Sequence, residues 1–136
     1  MECRLRVIYG DTDQMGVVYY ANYFRYFEFA RGEFFRSRGQ SYTVVEEQGF
    51  FFPVIEAQAN YRASARYDDE LVITIWIEGA RRASVTFKYE VRRSTGPDLL
   101  VEGHTTHACI TKAGRPVAMP QSLRDYLGIP PPPPPK

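Results

Sequence analysis

The feature that most constrains the fold is an aromatic cluster: nine of the chain's 20 aromatic residues lie between Tyr19 and Phe35. No proline interrupts residues 22–38. The apolar residues of this segment follow helical spacing: Tyr23, Phe27, Ala30 and Phe34. A helix that is apolar on much of its circumference is buried on several sides. The pattern therefore predicts a long helix over 22–38 that the rest of the chain wraps.

Most of the remaining chain alternates apolar and polar residues, which is typical of half-buried strands. The predicted strands are 2–9, 54–63, 70–79, 82–93 and 99–111. Short links rich in turn-forming residues separate the last three strands, which indicates an antiparallel sheet. Residues 71–77 are apolar on both faces, so this strand is predicted to be central or at an interface. Between helix and second strand we predict a loop with one helical turn at 43–48.

Size and composition narrow the class of protein. The 136 residues fit one domain, which we assign to residues 1–128. A net charge of +1 without a basic stripe excludes the usual nucleic-acid binder. No stretch approaches the roughly 18 apolar residues that span a bilayer. Two distant cysteines and the lack of a signal peptide indicate free thiols in the cytoplasm. The proline run Pro130–Pro135 predicts a disordered tail over 129–136.

The segment between the first strand and the helix, DTDQMGVVYYANY from Asp11 to Tyr23, carries the chemical signal. A calcium loop fails, because Met15 stands where an oxygen ligand is required and Asn22 stands where a bidentate Glu is required. An aspartyl phosphotransferase motif fails at Met15 as well. A purely structural interpretation, in which each aspartate caps a turn or helix, stays open on the bare D-x-D pattern.

Taken whole, the segment resembles the signature of hotdog-fold acyl-CoA thioesterases of the 4-hydroxybenzoyl-CoA thioesterase and YbgC type. Their pattern is a strand, then D-x-D-x-x-G-[VI]-V-[YW]-[HY]-x-N-Y, then a long helix. The resemblance covers about residues 2–120, and its further matches are FPV at 52–54, YDDEL at 67–71, ASVTF at 83–87 and GRP at 114–116. It implies an α+β hotdog fold, in which a curved antiparallel sheet of about five strands wraps the helix, and hydrolysis of an acyl-CoA thioester.

The resemblance also implies a site. Asp13 corresponds to the catalytic carboxylate, either nucleophile or general base, and the backbone N–H of Tyr20 to the oxyanion donor. A helix start supplies such free donors on physical grounds as well. Many YbgC-type members have His at the position of Tyr20. The expected substrate-binding residues are Gly16, Val17, Tyr19, Asn22, Phe24, Arg81, Arg82 and Ser84, the last three as a clamp for coenzyme A phosphates, for which Arg62 and Arg66 are further candidates. Asp11 is expected to be structural.

The remaining expectations concern histidines, cofactors and partners. His104 and His107 are predicted to be core or interface residues, because no spacing in the chain suits a metal site. No cofactor is expected beyond the coenzyme A of the substrate, which an acyl carrier protein could replace. By resemblance the chain forms a homodimer at least, and a homotetramer is expected. Two alternatives stay open: a non-catalytic acyl-CoA or acyl-carrier-protein binding module, and a hotdog dehydratase, for which no His–acid hydratase motif is found. The acyl group is left open.

Overall fold

The computed structural model describes residues 1–39 and 42–129, with only the backbone of Tyr42. The predicted tail therefore lies outside the described residues except for Ile129, which is buried and donates its N–H to the carbonyl of Arg124 at 2.7 Å. The elements in chain order are β1 Glu2–Arg6, a 3-10 turn Tyr9–Asp11, α1 Asn22–Ser37, α2 Tyr42–Glu47, β2 Val54–Tyr61, β3 Glu70–Arg81, β4 Ser84–Arg93, β5 Leu99–Ala108 and α3 Gln121–Leu127.

The five strands form one antiparallel sheet in the order β1-β3-β4-β5-β2. The predicted α+β architecture, with its long helix and five antiparallel strands, is confirmed. β3 lies inside the sheet, as its apolar sequence predicts, and buries Leu71, Ile73 and Ile75. β2 pairs with β5 rather than with its neighbour in sequence, so it forms an edge of the sheet. No described helix is both long enough and apolar enough to cross a membrane.

Helix α1 packs on the sheet through the face that the spacing predicts, since Tyr23, Phe27, Ala30 and Phe34 are all buried. The ring of Phe27 stacks on Tyr89 of β4 at 4.2 Å between centroids. This close approach needs Gly103 in β5, where a Cβ would lie 2.8 Å from Phe27 and would also collide with the backbone of β2. Aromatic burial on this scale is a main source of stability in a domain of this size.

Two expectations about the elements are wrong, and one helix was missed. The first strand ends at Arg6, and Tyr9 is 77% exposed, because the chain turns away at Tyr9–Asp11. The turn expected between the predicted strands 70–79 and 82–93 lies instead at 82–83, since residues 79–81 pair with 84–86 beyond a bulge. Helix α3 was not predicted. The residues at its two ends are common at helix ends. Pro120 precedes the first turn, and Gly128 ends the helix in the left-handed conformation at φ 75°.

Candidate active site

The loop between β1 and α1 forms a short hairpin, and Asp13 makes hydrogen bonds that hold its two sides together. Thr12 and Val18 form a bridge, and the N–H of Asp13 donates to the carbonyl of Val17 at 2.9 Å. The N–H of Gly16 returns to the carbonyl of Asp13 at 2.9 Å. Gly16 has a φ of 78°, in the region that glycine adopts without strain. Local hydrogen bonds therefore fix the position of Asp13.

The carboxylate of Asp13 is half-buried and lightly bonded. Its Oδ1 accepts the N–H of Met15 at 2.9 Å, a bond made within its own turn. Within the described residues, no basic side chain forms an ion pair with Asp13 and its second oxygen has no hydrogen-bond donor. One oxygen is thus held in place while the other stays open to a bound molecule.

The backbone N–H of Tyr20 is also open. It has no acceptor among the described residues, whereas the carbonyl of Tyr20 accepts from the hydroxyl of Tyr61 at 3.2 Å. Ala21 occupies the N-cap position of α1 and offers no side-chain acceptor. The N–H groups of Asn22, Tyr23 and Phe24 donate to the carbonyls of Tyr19, Tyr20 and Ala21. The helix start therefore presents the open N–H of Tyr20 and the positive end of its dipole beside the Asp13 hairpin.

Asp11 behaves differently from Asp13. It is 4% exposed, and its two carboxylate oxygens accept from Arg25 Nη1 and Tyr26 Oη, each at 2.9 Å. Its carbonyl accepts from the side chain of Asn22 at 2.9 Å. Burial and the hydrogen bond to Asp11 raise the pKa of Tyr26 above its usual range. Asp11, Arg25 and Tyr26, which we call the start cluster, anchor α1 to the hairpin through side chains and not through a helix cap.

Aromatic side chains surround the open groups. The rings of Tyr19 and Tyr20 lie 4.8 Å apart, and Tyr61 meets Tyr20 edge-on at 6.1 Å. The hydrogen-bonding interaction of the Tyr19 hydroxyl with the Tyr20 side chain, in which Tyr19 keeps its proton, raises the pKa of Tyr19, and the nearby charge of Asp13 is a smaller contribution. Of the expected binding residues, Gly16, Val17, Tyr19, Asn22 and Phe24 all belong to this hairpin or to the first turn of α1. Tyr61 was missed, because its contact depends on where β2 ends in space.

The expected phosphate clamp lies elsewhere. Arg81, Arg82 and Ser84 sit at the β3–β4 hairpin, where the carbonyl of Arg81 accepts from Arg124 at 2.5 Å. The other end of β3, next to the first loop, is 11 residues or about 36 Å of extended strand away. One subunit therefore does not bring the clamp to Asp13.

The two further arginine candidates differ. The backbone of Arg66 forms a β-bridge with Val17, and its guanidinium lies next to Gly16. Arg66 therefore lies beside Asp13. Arg62 is paired with Glu102 at 2.7 Å.

A cavity of about 380 Å³ opens between α1 and the entry to β2. Its rim consists of exposed or half-exposed residues: Glu28, Arg31, Gly32, Pro53 and Val54. Its floor consists of buried residues: Phe35, Phe52, Val85, Phe87, His107 and Leu127. The cavity was not predicted, because it depends on how far the helix stands from β4 and β5.

A second hydrogen-bonded system, the inner cluster of Arg31, Tyr89, Thr105 and His107, runs beside this cavity. Arg31 donates to Tyr89 Oη at 3.1 Å, which lies 2.6 Å from Thr105 Oγ1. Thr105 Oγ1 lies 2.8 Å from His107 Nε2, and His107 Nδ1 lies 3.0 Å from the carbonyl of Phe52. Burial lowers the pKa of His107 to about 4. Because a carbonyl only accepts and Arg31 only donates, neutral His107 requires every hydroxyl to donate in one direction, towards the imidazole.

The other histidine faces away from the helix. His104 alternates with the buried residues of β5 and lies 2.5 Å from Glu56 of β2. His107 is the core residue that the sequence predicts, whereas His104 belongs to a pair on the outer face of the sheet. Among the described residues, no group of three or more His, Cys, Asp or Glu side chains is placed to hold a metal ion.

A model of the thioesterase superfamily matches residues 15–100. The chain is 36% identical to a putative esterase of Aquifex aeolicus, over 91% of this chain and 94% of the relative. It is 32% identical to the acyl-CoA thioesterase YbgC of Haemophilus influenzae, over 88% of each chain. The fold is similar to that of a DHNA-CoA thioesterase from Staphylococcus aureus, with a TM-score of 0.85, 31% identity and coverage of 92% and 84%.

Proposed function

The chain belongs to the thioesterase superfamily and is a thioester hydrolase, and from that premise we propose that it hydrolyses acyl-CoA thioesters at Asp13. The backbone N–H of Tyr20 donates to the oxygen of the reacting carbonyl. One observation carries the assignment: a carboxylate with one oxygen held and one open, and an N–H without an acceptor, lie on the same hairpin and helix start. Such preorganised donors stabilise the developing oxyanion.

Two routes use these groups. As a nucleophile, the open oxygen of Asp13 adds to the carbonyl carbon and expels the coenzyme A thiolate, which leaves a mixed anhydride that water cleaves. As a general base, Asp13 takes a proton from water as the water oxygen attacks. The tetrahedral oxyanion then collapses, and the leaving thiolate receives that proton. Both routes yield the free acid and coenzyme A, and neither needs a further cofactor.

The edge strand supports a proposal about assembly. Seven of the eight residues of β2 are exposed, including Val54, Ile55 and Tyr61, at 47%, 62% and 45%. An edge strand with exposed apolar residues is a template for pairing. We propose that β2 pairs with β2 of a second copy and that pairs of dimers form a tetramer. In such an assembly Arg81, Arg82 and Ser84 of another subunit serve the phosphates.

Free thiols support a cytoplasmic location, which we also propose. Cys3 is half-buried and Cys109 is buried, and neither takes part in a disulfide. Thiols persist in the reducing cytoplasm.

Thiol release tests the function. A panel of acyl-CoAs is incubated with the wild type, with Asp13→Asn and with the control Asp68→Asn, and coenzyme A is followed with a colorimetric thiol reagent. In Asp13→Asn the amide oxygen still accepts from Met15, so the hairpin keeps its shape while the carboxylate is lost. We expect kcat to fall at least 100-fold. Asp68 is exposed, with a φ of 69° that asparagine also adopts, so its variant keeps full activity.

Other outcomes separate the alternatives. Hydrolysis that is unchanged in Asp13→Asn contradicts the role of this carboxylate. Tight acyl-CoA binding without thiol release from any substrate indicates a binding module. Matched acyl-carrier-protein substrates show which thiol is preferred. A single turnover in ¹⁸O-labelled water that leaves label in Asp13 identifies the nucleophile route, because only hydrolysis of an anhydride at the Asp13 carbonyl puts a water oxygen into the protein.

Light scattering tests the assembly. The subunit mass is 15.7 kDa, and we expect a particle of two or four times that mass. Ile55→Lys places a charge on the edge of β2 and is expected to yield monomers. The control Tyr9→Lys, at another exposed site, keeps the wild-type mass. A wild-type monomer contradicts the proposed pairing.

A further inference from the structure

The cavity beside the inner cluster has a polar rim and an apolar floor. Arg31 and Glu28 bring charge to the rim, whereas the floor is built from three phenylalanines, two aliphatic residues and His107. His107 is 3% exposed, and both of its ring nitrogens are engaged. No described side chain has a buried nitrogen or oxygen without a partner. The floor therefore offers no spare hydrogen bond to a ligand.

The cavity lies along the same face of α1 as the site. Phe24, Glu28, Arg31 and Phe35 follow at intervals of three and four residues, so they form one stripe that leads from the helix start into the cavity. Strand β2 has one end near each end of this stripe and runs in the opposite direction. Its last residue, Tyr61, contacts Tyr20 at the helix start, and its first residue, Val54, lies on the rim.

From this placement we infer that the cavity receives the end of a linear, unsubstituted acyl chain whose carbonyl lies at Asp13 and Tyr20. The inference rests on the proposed function and names the class of acyl group that it acts on. The chain runs between α1 and β2, passes the charged rim and ends among the phenylalanine rings. Apolar surface that leaves water on this path favours binding at about 25 cal/mol per Å².

Distance sets the shortest chain. Glu28 follows Asn22 by six residues, so the rim begins about 9 Å along the axis from the helix start. An extended chain advances about 1.2 Å per bond, taken from the 3.3–3.6 Å of three polypeptide bonds. Chains of about eight carbons or more therefore reach the rim. The cavity is more than twice the roughly 150 Å³ that holds one benzene ring, so several further carbons fit.

The floor also sets the chemistry of the chain end. A terminal hydroxyl there loses its bonds to water and meets groups whose hydrogen bonds are already made. Such an unsatisfied group costs about 1–3 kcal/mol, which corresponds to a roughly 5- to 150-fold loss of binding. The cavity therefore favours a saturated chain over a hydroxylated one.

The test measures kcat/KM for acyl-CoAs of four to fourteen carbons, for 4-hydroxybenzoyl-CoA, and for the matched pair decanoyl-CoA and 10-hydroxydecanoyl-CoA. The variant is Gly32→Leu, which adds a side chain at the rim, where the nearest atoms to a new Cβ belong to the flexible Arg36 at 3.4 Å. Leucine is also a better helix former than glycine, so the fold is kept. The control is Arg36→Leu, which adds the same side chain one turn later, outside the cavity.

We expect wild-type kcat/KM to be at least tenfold higher for decanoyl-CoA than for butyryl-CoA, and at least about fivefold higher than for 10-hydroxydecanoyl-CoA. Gly32→Leu lowers the decanoyl-to-butyryl ratio at least tenfold, and Arg36→Leu leaves it unchanged. A wild-type profile that is flat with chain length, a preference for 4-hydroxybenzoyl-CoA, or a ratio unaffected by Gly32→Leu overturns the inference.

Calorimetry with free decanoate and butyrate separates this inference from the proposed function. If no acyl-CoA is hydrolysed while decanoate binds and Gly32→Leu abolishes that binding, the function is wrong and the acyl site stands. If thiol is released but decanoate binds no better than butyrate to the wild type, the acyl site is wrong and the function stands.

Discussion

The start cluster and the inner cluster both tie α1 to the rest of the subunit through an arginine and a tyrosine, but they differ in charge. The start cluster is built on the buried carboxylate of Asp11, whereas the inner cluster is neutral beyond the guanidinium of Arg31. An unpaired charge is most costly where no water reaches it. The cluster beside the apolar cavity therefore uses hydroxyls and a neutral imidazole, and the cluster at the open helix start tolerates an ion pair.

The largest expected loss of unfolding free energy comes from acid, which protonates His107 and disrupts the hydrogen bonds of the inner cluster. The pKa of His107 is about 4 in the folded protein against 6.5 in the unfolded chain, so between these values only the unfolded state binds the proton. The stability from neutral His107 is complete above pH 6.5 and is lost as the pH falls towards 4. The difference between the two pKa values corresponds to about 3 kcal/mol of unfolding free energy.

Urea denaturation at pH 7 and pH 4.5 measures this loss in the wild type and in His107→Gln. The variant has no titrating group at this position, so its unfolding free energy falls less steeply with acid. If the unfolding free energy falls equally between pH 7 and pH 4.5 in the two proteins, His107 is not the group whose protonation destabilises the fold. The structural reason is proton placement: a protonated His107 would reverse the bonds of Thr105 and Tyr89 and leave one hydroxyl proton without an acceptor.

The start cluster is expected to show the next largest effect. Asp11→Ala removes the acceptor of the Tyr26 hydroxyl, which then stays buried without a partner. Hydrogen bonds to charged groups contribute about 1.5–3 kcal/mol, so the unfolding free energy should fall by about 2 kcal/mol. Asp13→Ala is the matched control and changes it by less than 1 kcal/mol, since Asp13 bonds only to its own turn. Equal losses in both variants would erase the distinction between the two aspartates.

A smaller effect is expected from Tyr89→Phe in the inner cluster. The ring keeps its stack on Phe27, and Thr105 still donates to His107, so only the hydroxyl bonds are lost. A neutral hydrogen bond contributes about 1 kcal/mol net. Thermal unfolding compares this variant with Tyr9→Phe, whose hydroxyl is on a 77% exposed side chain and whose stability should not change.

The periodicity of the sequence predicted the buried faces of the helix and strands. It did not predict contacts that depend on a residue of another element. The spacing of Tyr23, Phe27, Ala30 and Phe34 predicts the buried face of α1, because one face of a helix is read from one segment. The partners of Asp11 lie 14 and 15 residues away on another element, so no local pattern indicates them. The β3–β4 turn was misplaced, because Gly79 marks a bulge as readily as a turn.

The same reason separates the predicted site into two parts. The motif places Asp13 and Tyr20 on one continuous hairpin, so sequence alone could propose them together. The arginine pair at 81–82 was joined to them only by the needs of the substrate, and the fold sets it at the far end of β3. The cavity depends on the gap between α1 and the sheet, a distance that no residue pattern records.

The smallest expected loss of unfolding free energy is that of Arg25→Gln. It bears most directly on the comparison, because it shows whether water reaches the carboxylate of Asp11. The side chain of Arg25 is 63% exposed, so in Arg25→Gln water reaches the oxygen that the guanidinium leaves, while Tyr26 still donates to the other. The loss then falls in the range of surface pairs, about 0.5 kcal/mol, and shrinks further in high salt. Chemical denaturation at low and high ionic strength measures it, with Arg36→Gln as the control pair on the same helix. A loss of about 3 kcal/mol would instead mean that no water reaches the Asp11 carboxylate in the variant. The start cluster would then depend on Arg25 as much as the inner cluster depends on neutral His107.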